Sequence, residues 1–173
     1  DLLYATATVT TNANAVPTGV NTNGVVAFDF THLLSKMIFN ITNQTNQQYN
    51  VTNISVTDVA EDGIYTVNGG TWAKGSEDTT TLTFGTANVA GGATVTASES
   101  RQILPIEQAL EVTITYDVMD GSDVVGTLTK SGTITKTFAK STVYAVNVTL
   151  TGTSINFSLG TVNGWTDGGG IDL

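Results

Sequence analysis

The chain has 173 residues, with 15 acidic and 6 basic side chains and a formal net charge of −9. Such a chain repels phosphate backbones and carries no basic stripe, which argues against binding to nucleic acid. It contains no apolar run near the roughly 20 residues of a membrane-spanning helix, and the absence of cysteine excludes disulfides and thiolate metal sites.

Short segments of alternating apolar and polar residues, rich in β-branched types, run through the whole chain. In chain order, strands are predicted over residues 2–10, 25–30, 36–42, 51–60, 64–67, 79–84, 94–98, 110–119, 124–130, 133–138, 142–151 and 154–161. Roughly ten short strands separated by regular turn signals are typical of a β-sandwich. The sequence therefore predicts an all-β, two-sheet sandwich of the Greek-key or transthyretin-like type, forming one domain over residues 1–173.

Three local features refine this prediction. Leu33 and Leu34 interrupt the alternation, which predicts a short helical turn near residues 31–35. Strict alternation over residues 51–60 would place its odd-numbered positions on one face and its even-numbered positions on the other. Gly132 is interpreted as part of the break between the strands over residues 124–130 and 133–138.

Several short motifs occur in a fixed order along the chain. They are Asp1-Leu2-Leu3-Tyr4-Ala5, Phe28-x-Phe30-x-His32-x-Leu34-Ser35-Lys36, Gly63-x-Tyr65, Trp72, Ile103-Leu104-Pro105, Val143-Tyr144, Ile155-x-Phe157 and Val162-x-x-Trp165. Together they resemble the fimbrillin family of Bacteroidetes, the subunits of type V pili and related surface proteins. Family members usually have two β-sandwich domains, and this chain resembles the second of them.

The resemblance implies a non-catalytic structural subunit of a cell-surface fimbria, with no cofactor. In this family a protease removes an N-terminal segment, and the groove left behind accepts a strand from a neighbouring subunit. The implied partners are other copies of the chain or related pilin subunits. The chain begins at Asp1 rather than at methionine, as expected of a processed or truncated product whose targeting signal is not present in this chain. Its low charge density, its abundant threonine, asparagine and glycine and its few lysines are typical of secreted or surface β-proteins, so we expect an exported, extracellular location.

The C-terminal segment is suited to the role of donor strand. Ile155, Phe157 and Leu159 alternate with small or polar residues, and Val162 and Trp165 extend the apolar content. A strand added to a sheet gains main-chain hydrogen bonds while its alternate side chains fill pockets. The alternative is that this strand completes its own sandwich. If it is donated, Phe157→Asp is expected to abolish assembly and leave the monomer folded.

The N-terminal residues Leu2, Leu3 and Tyr4 would belong to the exchangeable strand that the resemblance implies. Thr79 lies in Asp78-Thr79-Thr80, which fits a short O-glycosylation pattern associated with Bacteroidetes surface proteins. It is therefore a candidate modification site.

A second hypothesis is a monomeric surface adhesin that binds a host glycan or protein through its loops. Trp72 and Trp165, together with Tyr65 and Tyr116, are the candidate sugar-stacking residues, although aromatic residues in β-proteins more often pack in the core. An enzyme would need partners for the only histidine, His32, and the sequence shows no triad arrangement around it.

Overall fold

The computed structural model describes residues 2–6, 28–152 and 154–162. The chain divides into two compact units, residues 1–33 and residues 34–173. In the first unit, β1 (Leu3–Thr6) and β2 (Asp29–His32) pair in antiparallel fashion. The backbone N–H of Leu33 donates to the carbonyl of Leu2 at 2.9 Å, which extends this short ladder by one bond.

The second unit contains twelve strands within the described residues. They are β3 (Ser35–Asn43), β4 (Gln48–Ala60), β5 (Gly63–Thr66), β6 (Thr71–Lys74), β7 (Thr79–Thr83), β8 (Ala87–Val89), β9 (Thr94–Thr96), β10 (Arg101–Ile103), β11 (Glu107–Asp120), β12 (Asp123–Thr137), β13 (Val143–Leu150) and β14 (Ile155–Val162). The strands over residues 36–42 and 154–161 are thus confirmed to within two residues at each end.

Two five-stranded sheets make up the sandwich. One has the order β10-β3-β13-β14, with β9 also pairing with β3. The other has the order β12-β11-β4-β7, with β8 also pairing with β4. Strands β3 and β13 are parallel, and the other pairs are antiparallel. A separate hairpin joins β5 to β6.

The inward faces of the two sheets form one apolar core. Phe39 of β3 meets Phe84, which follows β7, edge-to-face with ring centroids 4.7 Å apart. Tyr49 and Tyr116 form a second aromatic pair at 5.2 Å between β4 and β11. All four side chains are buried. The predicted all-β sandwich is therefore confirmed, whereas the single domain over residues 1–173 stays a prediction.

The helical turn expected near residues 31–35 is wrong. Residues 31 and 32 end β2, residue 34 is a bend, and β3 begins at Ser35. The backbone of this connection bonds to residues distant in sequence: the Leu33 N–H reaches Leu2, and the Leu34 carbonyl accepts from Ser141 N–H at 3.0 Å. These bonds replace the short-range bonds that a helical turn would need, so two adjacent leucines here mark a change of strand.

The alternation expected along residues 51–60 is also broken. Val51, Ile54, Val56 and Val59 are all buried, although strict alternation would separate them onto two faces. The register between β4 and β11 shifts beside Tyr116, and the register between β4 and β7 shifts between Val56 and Val59. Each β-bulge adds one residue and resets the phase of the strand, so both sets of apolar side chains reach the core.

Candidate functional site

The C-terminal strand β14 folds back on β13 of its own chain. The turn between them is closed by two backbone hydrogen bonds, from Thr151 N–H to the Ser154 carbonyl at 2.9 Å and from Ser154 N–H to the Thr151 carbonyl at 3.3 Å. The antiparallel register then runs from Leu150 opposite Ile155 to Val143 opposite Val162. In the described part of the chain, β13 is the only strand that pairs with β14.

Three alternate side chains of β14 point into the sandwich. Ile155, Phe157 and Leu159 are half-buried and pack against the core. They lie opposite three fully buried residues of β13, namely Leu150, Val148 and Val146. Half-burial of three such side chains contributes roughly 3 kcal/mol before ordering costs. The apolar pattern read from the sequence is therefore the pattern that attaches β14 to the core.

Gly132 of β12 forms the seat for the Phe157 ring. A β-carbon at residue 132 would lie 2.7 Å from Cδ2 and 3.1 Å from Cε2 of Phe157. Contacts under 3.0 Å require movement, so only glycine admits the ring at this depth. The expected break at Ser131-Gly132 is wrong, because β12 runs without interruption through both residues and pairs Gly132 with Val112. This glycine serves packing between the two sheets.

The two remaining candidate donor residues lie at or beyond the end of the described chain. Val162 is the last residue of β14 and pairs with Val143, but its side chain is outside what the structure describes. Trp165 lies outside the described residues altogether.

The N-terminal candidates lie in and beside β1. Leu3 is opposite His32 and Tyr4 is opposite Thr31, while Leu2 precedes the strand. Leu2 and Leu3 are 44% and 47% exposed, and Tyr4 is half-buried. The predicted strand over residues 2–10 is described only to residue 6, and residues 7–10 lie outside the described residues. What the structure describes of β1 is held to β2 by a four-residue ladder.

A separate cleft lies beside the β5–β6 hairpin. Its volume is about 350 Å³, and its lining includes Trp72, Pro105, Phe138 and Lys140. Tyr65 faces Trp72 across the hairpin, with ring centroids 5.3 Å apart. Two of the four candidate sugar-stacking residues are thus brought together. Tyr116 is instead buried in the core, where burial and the neighbouring Tyr49 raise the pKa of its hydroxyl.

Ser35 has a structural role that sequence patterns do not reveal. It is completely buried, and its hydroxyl donates to the Ala139 carbonyl at 2.8 Å, across 104 residues of sequence. The hydrogen bond ties the start of β3 to the segment before β13. Leu34-Ser35-Lys36 belongs to one of the motifs found in the sequence. The hydrogen-bond partner of Ser35 could not be inferred from that motif, because Ala139 is too distant along the chain.

The sequence profile of the fimbrillin-like family matches residues 1–165, nearly the whole chain. The chain belongs to the fimbrillin-like family. No curated protein matches it significantly.

Two solved structures share the fold of this fimbrillin. A fimbrial protein from Bacteroides vulgatus is 19% identical with a TM-score of 0.61, and the similarity covers 84% of this chain and 58% of that chain. A candidate cell adhesion protein from Bacteroides uniformis is 17% identical with a TM-score of 0.52, covering 95% of this chain and 66% of that one. The fimbrillin chain thus spans about three fifths to two thirds of these structures. At such low identities, the likeness shows the fold alone.

The fimbrillin-like family is a non-catalytic family of structural and adhesion proteins. Among the described residues, no group of three or more histidine or acidic side chains is arranged to hold a metal. Asp117 of β11 accepts a hydrogen bond from the Thr127 hydroxyl at 2.6 Å. The described chain also has no helix that is long and apolar enough to cross a membrane.

Thr79 is the first residue of β7 and pairs with Ala60 of β4. It is exposed, so a glycan-transferring enzyme could reach its hydroxyl. Its modification stays a prediction.

Proposed function

We propose that this fimbrillin is a structural subunit of a fimbria on the cell surface, and that copies assemble by exchanging β14. One observation carries the proposal: β14 is attached through a single neighbouring strand and three inward side chains. The partners would be other copies of the chain or related pilin subunits. The family assignment and the fold shared with a fimbrial protein support the same assignment.

Exchange would conserve the contacts that β14 now makes. A copy of β14 from a neighbour can offer the same main-chain ladder to β13 and the same Phe157 ring to Gly132. Exchange of an identical element between protomers carries little thermodynamic cost, since the ladder and the packing contacts of that element are remade. The barrier includes the release of β14 from β13, which breaks their ladder, removes three side chains from the core and opens the turn between Thr151 and Ser154.

A second form of exchange would involve the N-terminal strand. Leu2, Leu3 and Tyr4 lie in or beside β1, whose described part is held to β2 by a ladder of only four residues. Loss or displacement of β1 would leave the edge of β2 open to an incoming strand, and an open strand edge is a template for pairing with another chain. We propose this edge as an acceptor, with β14 as the donor.

A disulfide lock tests exchange of β14 without removing any core residue. Thr149 and Asn156 are cross-strand partners on the outward face of β13 and β14. Because the chain has no cysteine, Thr149→Cys with Asn156→Cys would form a single disulfide that holds β14 on its own chain. The matched control is Thr113→Cys with Ser131→Cys, whose native hydroxyl oxygens are 2.7 Å apart across the β11–β12 hairpin.

Electron microscopy at high protein concentration provides the readout. We expect filaments from the parent protein and from the control, and none from the oxidised lock until it is reduced. Filaments of equal number from the oxidised lock would contradict exchange of β14. Absence of filaments from the unlocked parent would contradict assembly itself. Phe157→Asp is less informative than expected, because Phe157 packs against its own core and the variant would also destabilise the monomer.

The alternative is a surface adhesin that stays monomeric and binds a glycan or protein. The cleft beside Trp72 favours this second function, because it combines an aromatic wall with a cationic side chain. Monodisperse particles from all of the variants above would support it.

A further inference from the structure

The first wall of the Trp72 cleft is an aromatic surface held in place by the β5–β6 hairpin. Trp72 and Tyr65 are directly opposed in the register, and their rings are tilted by 48°. The Cε3 edge of the indole lies against the backbone of Gly63, where a β-carbon would be only 3.1 Å away. Trp72 is nevertheless half-exposed, so part of its apolar surface is accessible to a ligand.

The opposite wall is fixed to the sandwich at three points. Phe138 N–H donates to the Ile106 carbonyl at 3.1 Å. Ala139 N–H donates to the Tyr144 hydroxyl at 3.0 Å, and the Ala139 carbonyl accepts from Ser35. A wall ordered before binding reduces the entropy lost when a ligand is held. The cleft therefore has the preformed character of a ligand site.

Lys140 supplies the only charge among the described residues that line this cleft. Its ammonium nitrogen lies 3.3 Å from the Gly70 carbonyl and 5.9 Å from the centroid of the Tyr65 ring. Both are weak contacts, because the hydrogen bond is long and the cation–π distance is at the limit of that interaction. The ammonium group can therefore turn to an anionic ligand at small cost.

The charge and the volume of the cleft limit the class of ligand that it can bind. The chain has a net charge of −9, so its overall electrostatic field repels anions. An anionic ligand must therefore be attracted by a positive group inside the cleft. The cleft volume of about 350 Å³ is at the small end of ligand pockets, which suits one or two sugar rings. A pyranose has an apolar face that can stack on an aromatic wall, and a uronic acid adds one carboxylate.

We infer that the cleft between Trp72 and Lys140 binds an acidic sugar, with the pyranose ring against Trp72 and the carboxylate on the Lys140 ammonium group. This inference develops the adhesin alternative and does not require strand exchange. A filament-forming protein and a monomeric one could both carry such a site.

A matched pair of sugars tests the assignment. Methyl β-D-glucuronide and methyl β-D-glucoside differ only in the carboxylate that replaces a hydroxymethyl group. The chain has two tryptophans, so Trp165→Phe leaves Trp72 as the only indole, and its fluorescence reports binding. We expect the glucuronide to bind at least tenfold more tightly than the glucoside, which corresponds to about 1.4 kcal/mol.

Two lysine variants locate the charge contact. Lys140→Gln is expected to remove the preference for the glucuronide, whereas Lys130→Gln, an exposed position on β12, should retain it. Equal binding of the two sugars, or no saturable binding of either, would overturn the inference. Displacement of the glucuronide by acetate at the same concentration would also overturn it, because the site would then recognise an anion only.

Discussion

The ring of Phe157 lies directly over Gly132, at the point where an edge strand of one sheet meets an edge strand of the other. Phe157 belongs to β14 and Gly132 to β12, and the two strands do not pair through their backbones. This side-chain contact closes that side of the sandwich. The packing of β14 against its own chain therefore requires that residue 132, in a different strand, has no side chain.

The change Gly132→Ala is expected to destabilise the protein by about 1–3 kcal/mol, the usual cost of overpacking a filled site. The added methyl group would displace Phe157 and loosen β14. Urea denaturation measures the loss of stability, and hydrogen exchange of the β14 amides shows whether it is local. If β14 is exchanged between subunits, the same variant should form filaments faster than the parent.

Gly126→Ala is the matched control, because it lies in the same strand and a β-carbon there meets nothing within 4 Å. Its stability should equal or slightly exceed that of the parent. Equal effects of the two substitutions would show that Phe157 does not depend on the space at residue 132.

Ser35→Ala is expected to lower the free energy of unfolding by about 1 kcal/mol, because it removes a buried hydroxyl that donates to the Ala139 carbonyl. Chemical denaturation provides the measurement. Ser122→Ala, in the exposed turn after β11, serves as the control and should change stability little. A neutral Ser35→Ala would mean that the hydrogen bond makes no net contribution.

Asn43→Leu is expected to destabilise the protein more strongly, by about 3 kcal/mol. The buried amide donates to the carbonyls of Gln47 at 2.7 Å and Val89 at 3.1 Å. Its oxygen accepts from both the backbone and the hydroxyl of Thr45. Leucine would leave these groups without their partner. Thermal unfolding measures the loss of stability, and Asn88→Ala, at an exposed position in β8, is the control.

Asp62 should confer a dependence of stability on pH in the acid range. Hydrogen bonds from the hydroxyl and the backbone N–H of Ser76 lower the pKa of its carboxyl below the ordinary value of 3.8. Because the folded pKa is the lower one, the stabilisation is present above pH 3.8 and is lost as pH falls through the folded pKa. Ser76→Ala should raise the pKa of Asp62 towards 3.8, as measured by carboxyl NMR titration. An unchanged pKa would contradict this role of the Ser76 hydroxyl.

The sequence predicted those features that depend on neighbouring residues. The alternation of Ile155, Phe157 and Leu159 reports which face of a strand meets the core, and these three side chains do pack there. The break between the predicted strands over residues 110–119 and 124–130 is also found, as the turn between β11 and β12, with Gly121 at a φ of 62°. Local chemistry is sufficient for both features.

Features that depend on distant partners were not predictable from the same patterns. In the sequence, Gly132 suggests a turn. Only the position of the Phe157 ring explains why a glycine lies inside a long strand. Leu33-Leu34 resembles one face of a helical turn, but its backbone bonds to residues far along the chain. The bulges of β4 reset an alternation that appeared regular. In each case a long-range contact overrides the local preference.

The parallel pairing of β3 with β13 has a consequence for the order of folding. Asn40 of β3 and Asn147 of β13 share a hydrogen bond across 107 residues of sequence, and pairing between such distant segments slows folding because a long loop must close first. When the chain is synthesised or exported from its N-terminus, β3 emerges early and most of the chain must follow before β13 is available to pair with it. The sheet that contains β3 and β13 is therefore completed last. Because β14 pairs only with β13, it cannot take its place in the sheet until β3 and β13 have paired.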